Sequence, residues 1–141
     1  MNKERILELA SILRGNQLPA IKGHCAHFDM RSYFFVPYDY SREEPDWCGT
    51  RACLAGLTII RWAPERLIID EEGEVAIKSE DGQRSVDFFE LARDILEINA
   101  DQADDLFVPD WLDHAGVVTR DNEHAATVLE RLARTGRVNW D

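Results

Sequence analysis

The sequence lacks a long apolar segment. A membrane-spanning helix needs roughly 20 consecutive apolar residues. The longest candidate, residues 52–63, is interrupted by Thr58 and Arg61 and is followed by Pro64. The N-terminal segment MNKERILELASIL also lacks the apolar core and the small-residue cleavage site of a secretory signal. We therefore expect a cytoplasmic protein that makes no contact with a membrane.

Cysteine is scarce, with three residues in a chain of 141. Secreted scaffolds that are held together by disulfide bonds are usually rich in cysteine and contain an even number. The low, odd number argues against such a scaffold and agrees with a cytoplasmic location.

The motifs of the common enzyme classes are missing too. The sequence has no Gly-rich phosphate loop, no nucleophile elbow, no His-Glu-x-x-His and no dinucleotide fingerprint. Asp70, Glu72 and Glu74 alternate as in a calcium loop, but Gly73 stands at the fourth position instead of the sixth, and the closing glutamate is missing. We expect no cofactor and no metal site, and we favour a protein that is not an enzyme.

Negative charge is concentrated in the middle of the chain. The net charge is −11, and residues 65–113 contain 16 acidic and 4 basic residues. Because such a segment repels phosphate backbones, we expect no direct nucleic-acid binding. An acidic surface suits a basic protein partner, and Asp101, Asp104 and Asp105 are the candidate partner-binding residues. A purely solvated acidic surface is the alternative.

The pattern of apolar residues predicts one helix-rich α+β domain over residues 1–141. Hydrophobic residues make up 45% of the chain, which is enough for a core. We expect four or five helices around a central buried helix, residues 51–63, with Thr50 as its N-cap and Pro64 behind it. One small antiparallel β-hairpin, formed by residues 67–69 and 75–77, is expected beside them.

Capping residues define the other predicted helices. Asn2, Ser85, Asn99 and Thr119 each precede apolar residues with helical spacing. Gly15 and Gly136 mark the ends of the first and last helix. Residues 16–47, which are rich in aromatic residues and proline, are expected to form a long irregular segment that packs on the core.

The segment DWCGTRACLAG, residues 46–56, places two cysteines at the start of the central helix. Unpaired backbone N–H groups and the helix dipole at such a position favour a bound anion or a thiolate. The candidate ligand-binding residues are therefore Trp47, Cys48, Gly49, Thr50 and Cys53. The competing interpretation is that both cysteines are small buried hydrophobic residues.

Two other uses of the cysteines stay open. A thiol enzyme based on Cys48 or Cys53 requires a nearby base, and no histidine has a spacing that ties it to either thiol. A zinc-stabilised module could combine those thiols with His24-Cys25-x-His27, but this spacing is not that of paired zinc knuckles.

Three motifs carry a resemblance, and they are Phe28-Asp29-Met30, Cys48-Gly49-Thr50-x-x-Cys53-x-Ala55-Gly56 and the tail Thr135-Gly136-x-Val138-x-Trp140. Together they resemble a family of small uncharacterised phage and bacterial proteins. Tyr33, where tryptophan is usual, and Arg120, where proline commonly follows the capping threonine, depart from the family's pattern. The resemblance implies no activity, but it implies a mobile-element origin and so an interaction with a host.

These observations predict a non-catalytic binding or inhibitor protein, derived from a phage, that acts on a host protein or sequesters a small anionic ligand. A cysteine-dependent enzyme and a zinc-stabilised module are the alternatives. Neither the identity of the partner nor the oligomeric state follows from the sequence.

Overall fold

The computed structural model describes residues 1–15, 20–21, 24–28, 50–69, 75–78, 87–108 and 122–140. Within these ranges the chain forms five helices, which are α1 (Lys3–Arg14), α2 (Leu54–Trp62), α3 (Phe88–Leu96), α4 (Ala100–Phe107) and α5 (Asn122–Thr135). The predicted α+β class, rich in helix, is confirmed. None of the helices in the described ranges is long and apolar enough to cross a bilayer.

The predicted hairpin is present as strands β4 (Leu67–Ile69) and β5 (Val75–Ile77), numbered by their order in the chain. The two strands are antiparallel, with Leu67 opposite Ile77 and Ile69 opposite Val75. A 3-10 turn, Pro64–Arg66, leads into β4 from the end of α2. Leu67 and Ile77 are buried, so the hairpin contributes apolar side chains to the core.

A second sheet lies in a part of the chain where the sequence did not predict one. Its strands are β1 (Ala20–Ile21), β2 (His24–Phe28) and β3 (Thr50–Ala52). β1 runs antiparallel to β2, and β2 runs parallel to β3. The expectation of an irregular segment over residues 16–47 is therefore wrong where β1 and β2 form. The parallel pairing of β2 with β3 joins parts of the chain that are distant in sequence, so no local pattern reveals it.

The predicted N-cap of the central helix is also wrong. Thr50 lies in β3, its Cα paired with that of Ala26, and the helix begins only at Leu54 with Cys53 at the N-cap position. The side chain of Cys53 makes no capping hydrogen bond. Pairing with β2 satisfies the backbone of Thr50 in an extended conformation, which a β-branched residue favours, and this outweighs a local cap.

The central position of α2 is confirmed. All residues from Leu54 to Ile60 are buried, and the hydroxyl of the buried Thr58 donates to the Leu54 carbonyl oxygen at 2.7 Å. α2 packs along α3 and also contacts α4, whereas α1 packs along α5. The apolar sides of all five helices join one core cluster, whose largest fully buried members include Ile6, Leu9, Leu13, Leu57, Leu96, Leu106, Phe107 and Leu129.

Among the other predicted caps, two are confirmed and one is wrong. The Asn2 side chain accepts from the Arg5 N–H at 3.2 Å, and Asn99 forms a full capping box at the start of α4. α3, however, is capped by Asp87, whose carboxylate accepts from two backbone N–H groups. The predicted cap Ser85 is therefore wrong, since position 87 is the one from which a carboxylate reaches the first turn. The predicted cap Thr119 lies outside the described residues.

Candidate functional site

The surface formed by α3, α4 and their connection carries most of the exposed negative charge of the described chain. We call it the acidic surface, and its seven exposed carboxylates belong to Asp87, Glu90, Asp94, Glu97, Asp101, Asp104 and Asp105. Residues 87–108 contain a single basic residue, Arg93, which forms an ion pair with Asp94 at 3.3 Å. The predicted partner-binding aspartates therefore lie together on one helix of this surface.

Three carboxylates of the acidic surface have a structural role. Asp87 caps α3, Asp94 pairs with Arg93, and Glu97 accepts a hydrogen bond from the Asn2 side-chain amide at 2.9 Å. The side chains of Glu90, Asp101, Asp104 and Asp105 make no hydrogen bond or ion pair within the described residues. These four negative charges are thus presented to solvent without compensation from the described part of the fold.

α4 exposes its aspartates because its apolar residues occupy the opposite side. Ala103, Leu106 and Phe107 are buried, and the Phe107 ring packs edge-on against Phe89 with ring centroids 5.6 Å apart. Asp101 lies in the first turn, where a negative charge is favoured by the helix dipole. Asp104 and Asp105 lie in the second half of an eight-residue helix that has no basic residue in its last turn. Charges at that end cost roughly 0.3–1 kcal/mol each.

Residues 136–140, which we call the tail segment, link α4 to α5. The Trp140 indole N–H donates to the Asp105 carbonyl oxygen at 2.9 Å, and the Gln102 side-chain amide donates to the Gly136 carbonyl oxygen at 2.8 Å. On α5, His124 Nε2 lies 2.6 Å from the Trp140 carbonyl oxygen. Because a carbonyl only accepts, Nε2 carries the proton in this contact. The tail segment therefore fixes the position of the helix that carries the three aspartates.

The predicted ligand-binding residues around the cysteines are only partly in the described chain. Trp47, Cys48 and Gly49 lie outside it, and of Thr50 only the backbone, in β3, is described. Cys53 is 2% exposed and is not part of a disulfide. A thiol this deeply buried cannot be reached by a substrate without local opening of the fold.

The histidine and cysteine donors of the alternative zinc site lie on β2. There the Cα of Cys25 pairs with that of Ala20, and the Cα of His27 pairs with that of Arg51. Of the other two proposed donors, Cys48 is outside the described residues, and Cys53 is buried at the N-cap position of α2. Among the residues that the structure describes, no three His, Cys, Asp or Glu side chains are grouped so that they could hold a metal ion.

An ion-pair cluster between α1 and α5 was not predicted from the sequence. Arg14 donates to both carboxylate oxygens of Glu130 at 2.9 Å, to the Thr127 hydroxyl at 3.2 Å, and to Glu123. The guanidinium lowers the pKa of Glu130, and the hydrogen bond to Glu130 raises the pKa of Arg14. Arg14 and Glu130 are 116 positions apart, so no sequence spacing could have indicated the pair. It links two helices and has no evident chemical role.

Comparison with known proteins gives no indication of function, so the functional interpretation depends on the acidic surface. No family model, no curated protein and no solved structure matches this chain. Of the motifs that resemble the phage and bacterial family, Cys53, Ala55 and Gly56 are buried at the start of α2. The Thr-Gly-x-Val-x-Trp motif forms the end of α5 and the tail segment.

Proposed function

We propose that the protein is a non-catalytic binding or inhibitor protein that binds a basic partner protein through the acidic surface. The observation that carries this proposal is the set of four exposed carboxylates without a partner in the described residues, which are Glu90, Asp101, Asp104 and Asp105. A surface of one sign attracts a partner of the opposite sign over distances beyond contact, which raises the association rate.

The placement of two aspartates near the end of α4 supports the proposal. Asp104 and Asp105 oppose the helix dipole and lack a basic neighbour in the last turn, so they lower the stability of the helix. Residues that break a local rule without a structural gain often serve function. A cationic partner surface would compensate both charges.

The resemblance to phage and bacterial proteins favours a host protein as the partner. Other functions of the chain receive less support. The burial of Cys53 disfavours a cysteine-dependent enzyme that uses this thiol, and the described residues offer no cluster of ligands for a zinc-stabilised module.

The proposal is tested by charge reversal with a matched control. Asp104→Lys combined with Asp105→Lys reverses two charges on the acidic surface. Glu4→Lys combined with Glu65→Lys makes the same change in charge at two exposed positions elsewhere. Each of the three proteins is used to capture partners from a host lysate, and the captured proteins are identified by mass spectrometry. We expect the wild type and the control to capture a protein that the Asp104/Asp105 variant does not capture. The melting temperature of the Asp104/Asp105 variant should rise slightly and not fall, because its lysines suit the helix dipole that the two aspartates oppose.

Kinetics with the purified partner complete the test. The association rate should fall steeply as salt rises from roughly 0.05 to 0.5 M, because the Debye length falls from well above 10 Å to below 8 Å. Equal capture by the two double variants, or an affinity that does not change with salt, would refute the proposal and leave a solvated acidic surface.

A further inference from the structure

The last turn of α4 is completed by a side chain from the tail segment. The last four carbonyl oxygens of an α-helix have no N–H partner within the helix itself. In α4 the Asp104 carbonyl oxygen accepts from the Val108 N–H at 2.9 Å. The next carbonyl oxygen, that of Asp105, accepts from the Trp140 indole N–H at 2.9 Å. A donor that lies 35 positions further along the chain therefore supports the end of this helix.

The charges in the same turn act against it. Asp104 and Asp105 place two exposed carboxylates at the negative end of the helix dipole, and the last turn of α4 has no basic residue. Neither carboxylate makes a hydrogen bond or an ion pair within the described residues. Their repulsion of the helix carbonyl groups favours opening of the turn. When the turn opens, the Asp105 carbonyl group moves away from the indole.

The tail segment has two further attachments, and neither involves the last turn of α4. The Gly136 carbonyl oxygen accepts from the side-chain amide of Gln102, in the first turn of α4, at 2.8 Å. The Trp140 carbonyl oxygen lies 2.6 Å from His124 Nε2 of α5. Gly136 takes a positive φ of 73°, which directs the chain out of α5 towards α4. Because these attachments stay in place, the indole hydrogen bond can break and re-form locally.

We propose that the last turn of α4 and Trp140 form a latch that responds to charge, and we call residues 104–108 together with Trp140 the latch. A positive charge against Asp104 and Asp105 removes the repulsion, stabilises the helical turn and so strengthens the hydrogen bond from the indole to the Asp105 carbonyl oxygen. The coupling is reciprocal, because the positive charge and the indole stabilise the same conformation.

The latch adds a means of regulation to the acidic surface. It rests on the proposed function, since the basic partner protein that binds the acidic surface is the source of the positive charge. Binding of that partner closes the latch, and the contact between Trp140 and His124 passes the change on to α5. In the opposite direction, a closed latch holds Asp104 and Asp105 in helical positions before the partner arrives, so less ordering is needed on binding.

Neutralisation of the two aspartates tests the latch without a partner. Asp104→Asn combined with Asp105→Asn removes both charges, and asparagine and aspartate have similar helix propensities. NMR at low ionic strength measures the rate at which the Trp140 indole N–H exchanges with water, and its signal is the one missing from Trp140→Phe. We expect the rate to fall about three- to tenfold, because the N–H exchanges when the latch opens. Loss of negative charge by itself attracts hydroxide and would raise the rate instead.

Glu90→Gln combined with Asp101→Asn is the matched control. It removes two exposed carboxylates of the same acidic surface, but both lie in the first turn of their helices, where the dipole favours negative charge. The Trp140 exchange rate should not fall in this variant. The indole N–H of Trp62 in α2 is the internal reference and should keep its rate in both variants.

The outcomes separate the latch from the proposed function. An unchanged or raised Trp140 exchange rate in the Asp104/Asp105 variant, or an equal fall in the control, would overturn the latch whether or not a partner is captured. A slower rate in the Asp104/Asp105 variant alone supports the latch even if the capture experiment fails, because no partner takes part in the measurement. Unchanged amide spectra outside α3, α4 and the tail segment show that the variants are folded.

Discussion

The burial of Cys53 favours the interpretation that this cysteine is a small buried hydrophobic residue. A side chain that is 2% exposed should react with iodoacetamide only when the fold opens, because alkylation requires an accessible thiolate. We expect the peptide that contains Cys53 to stay unmodified near neutral pH and to be labelled fully in denaturant. Cys53→Ala should lower the free energy of unfolding by about 1 kcal/mol and leave partner binding intact. Rapid labelling of the native protein, measured by mass spectrometry, would restore the thiol-enzyme hypothesis.

The Arg14–Glu130 ion pair makes the free energy of unfolding depend on pH in the acid range. Because the pKa of Glu130 is lowered in the folded protein, the pair stabilises the fold above the carboxyl group's unfolded pKa. This contribution disappears as the pH falls through the folded value. Glu130→Gln should therefore lower the urea midpoint at pH 7, and the difference from wild type should shrink below about pH 4. The carboxylate is 44% exposed, so salt should also reduce the effect. Glu65→Gln, at an exposed position outside the cluster, should show no such dependence.

At the level of elements, the tail segment determines how firmly α4 is held. Trp140→Phe keeps an aromatic ring but removes the N–H that donates to the Asp105 carbonyl oxygen, at a cost of about 1 kcal/mol. We expect faster hydrogen exchange at the α4 amides, with little change in α1, whose main packing partner is α5. A uniform change across all helices would show instead that α4 opens only when the whole protein unfolds.

The elements that the sequence predicted are those whose signals are local. Asn99 was predicted as an N-cap from the apolar residues that follow it, and in the structure it caps α4, where Gln102, three positions later, completes a capping box. The buried residues Ala103, Leu106 and Phe107 imply that Asp101, Asp104 and Asp105 are exposed, which the structure shows. Thr50 was misinterpreted because its strand partner, Ala26, is distant in sequence. The attachment of the tail segment to α4 was missed for a similar reason, since Gln102 and Gly136 are 34 positions apart and Asp105 and Trp140 are 35 apart.

At the scale of the whole molecule, the net charge of −11 opposes the compact state. Carboxylates that repel one another are closer together in the folded protein than in the unfolded chain. Raising NaCl from about 0.02 to 0.5 M shortens the Debye length to a few ångström, and the melting temperature should rise. The Arg14–Glu130 pair acts in the opposite direction, so the rise should be larger in Glu130→Gln. A melting temperature that falls with NaCl in calorimetry would show that attractive pairs outweigh the net repulsion.

The packing of α1 along α5 sets an order of events during synthesis on the ribosome. Arg14 finds its partner Glu130 only after 116 further residues have been added, which takes about 6–23 s at 5–20 residues per second. Until then Ile6, Leu9 and Leu13, which are fully buried in the finished protein, have no α5 to cover them. We therefore expect the side of α1 that packs along α5 to be accessible to chaperones and proteases until α5 has been made, even where α3 already contacts α1.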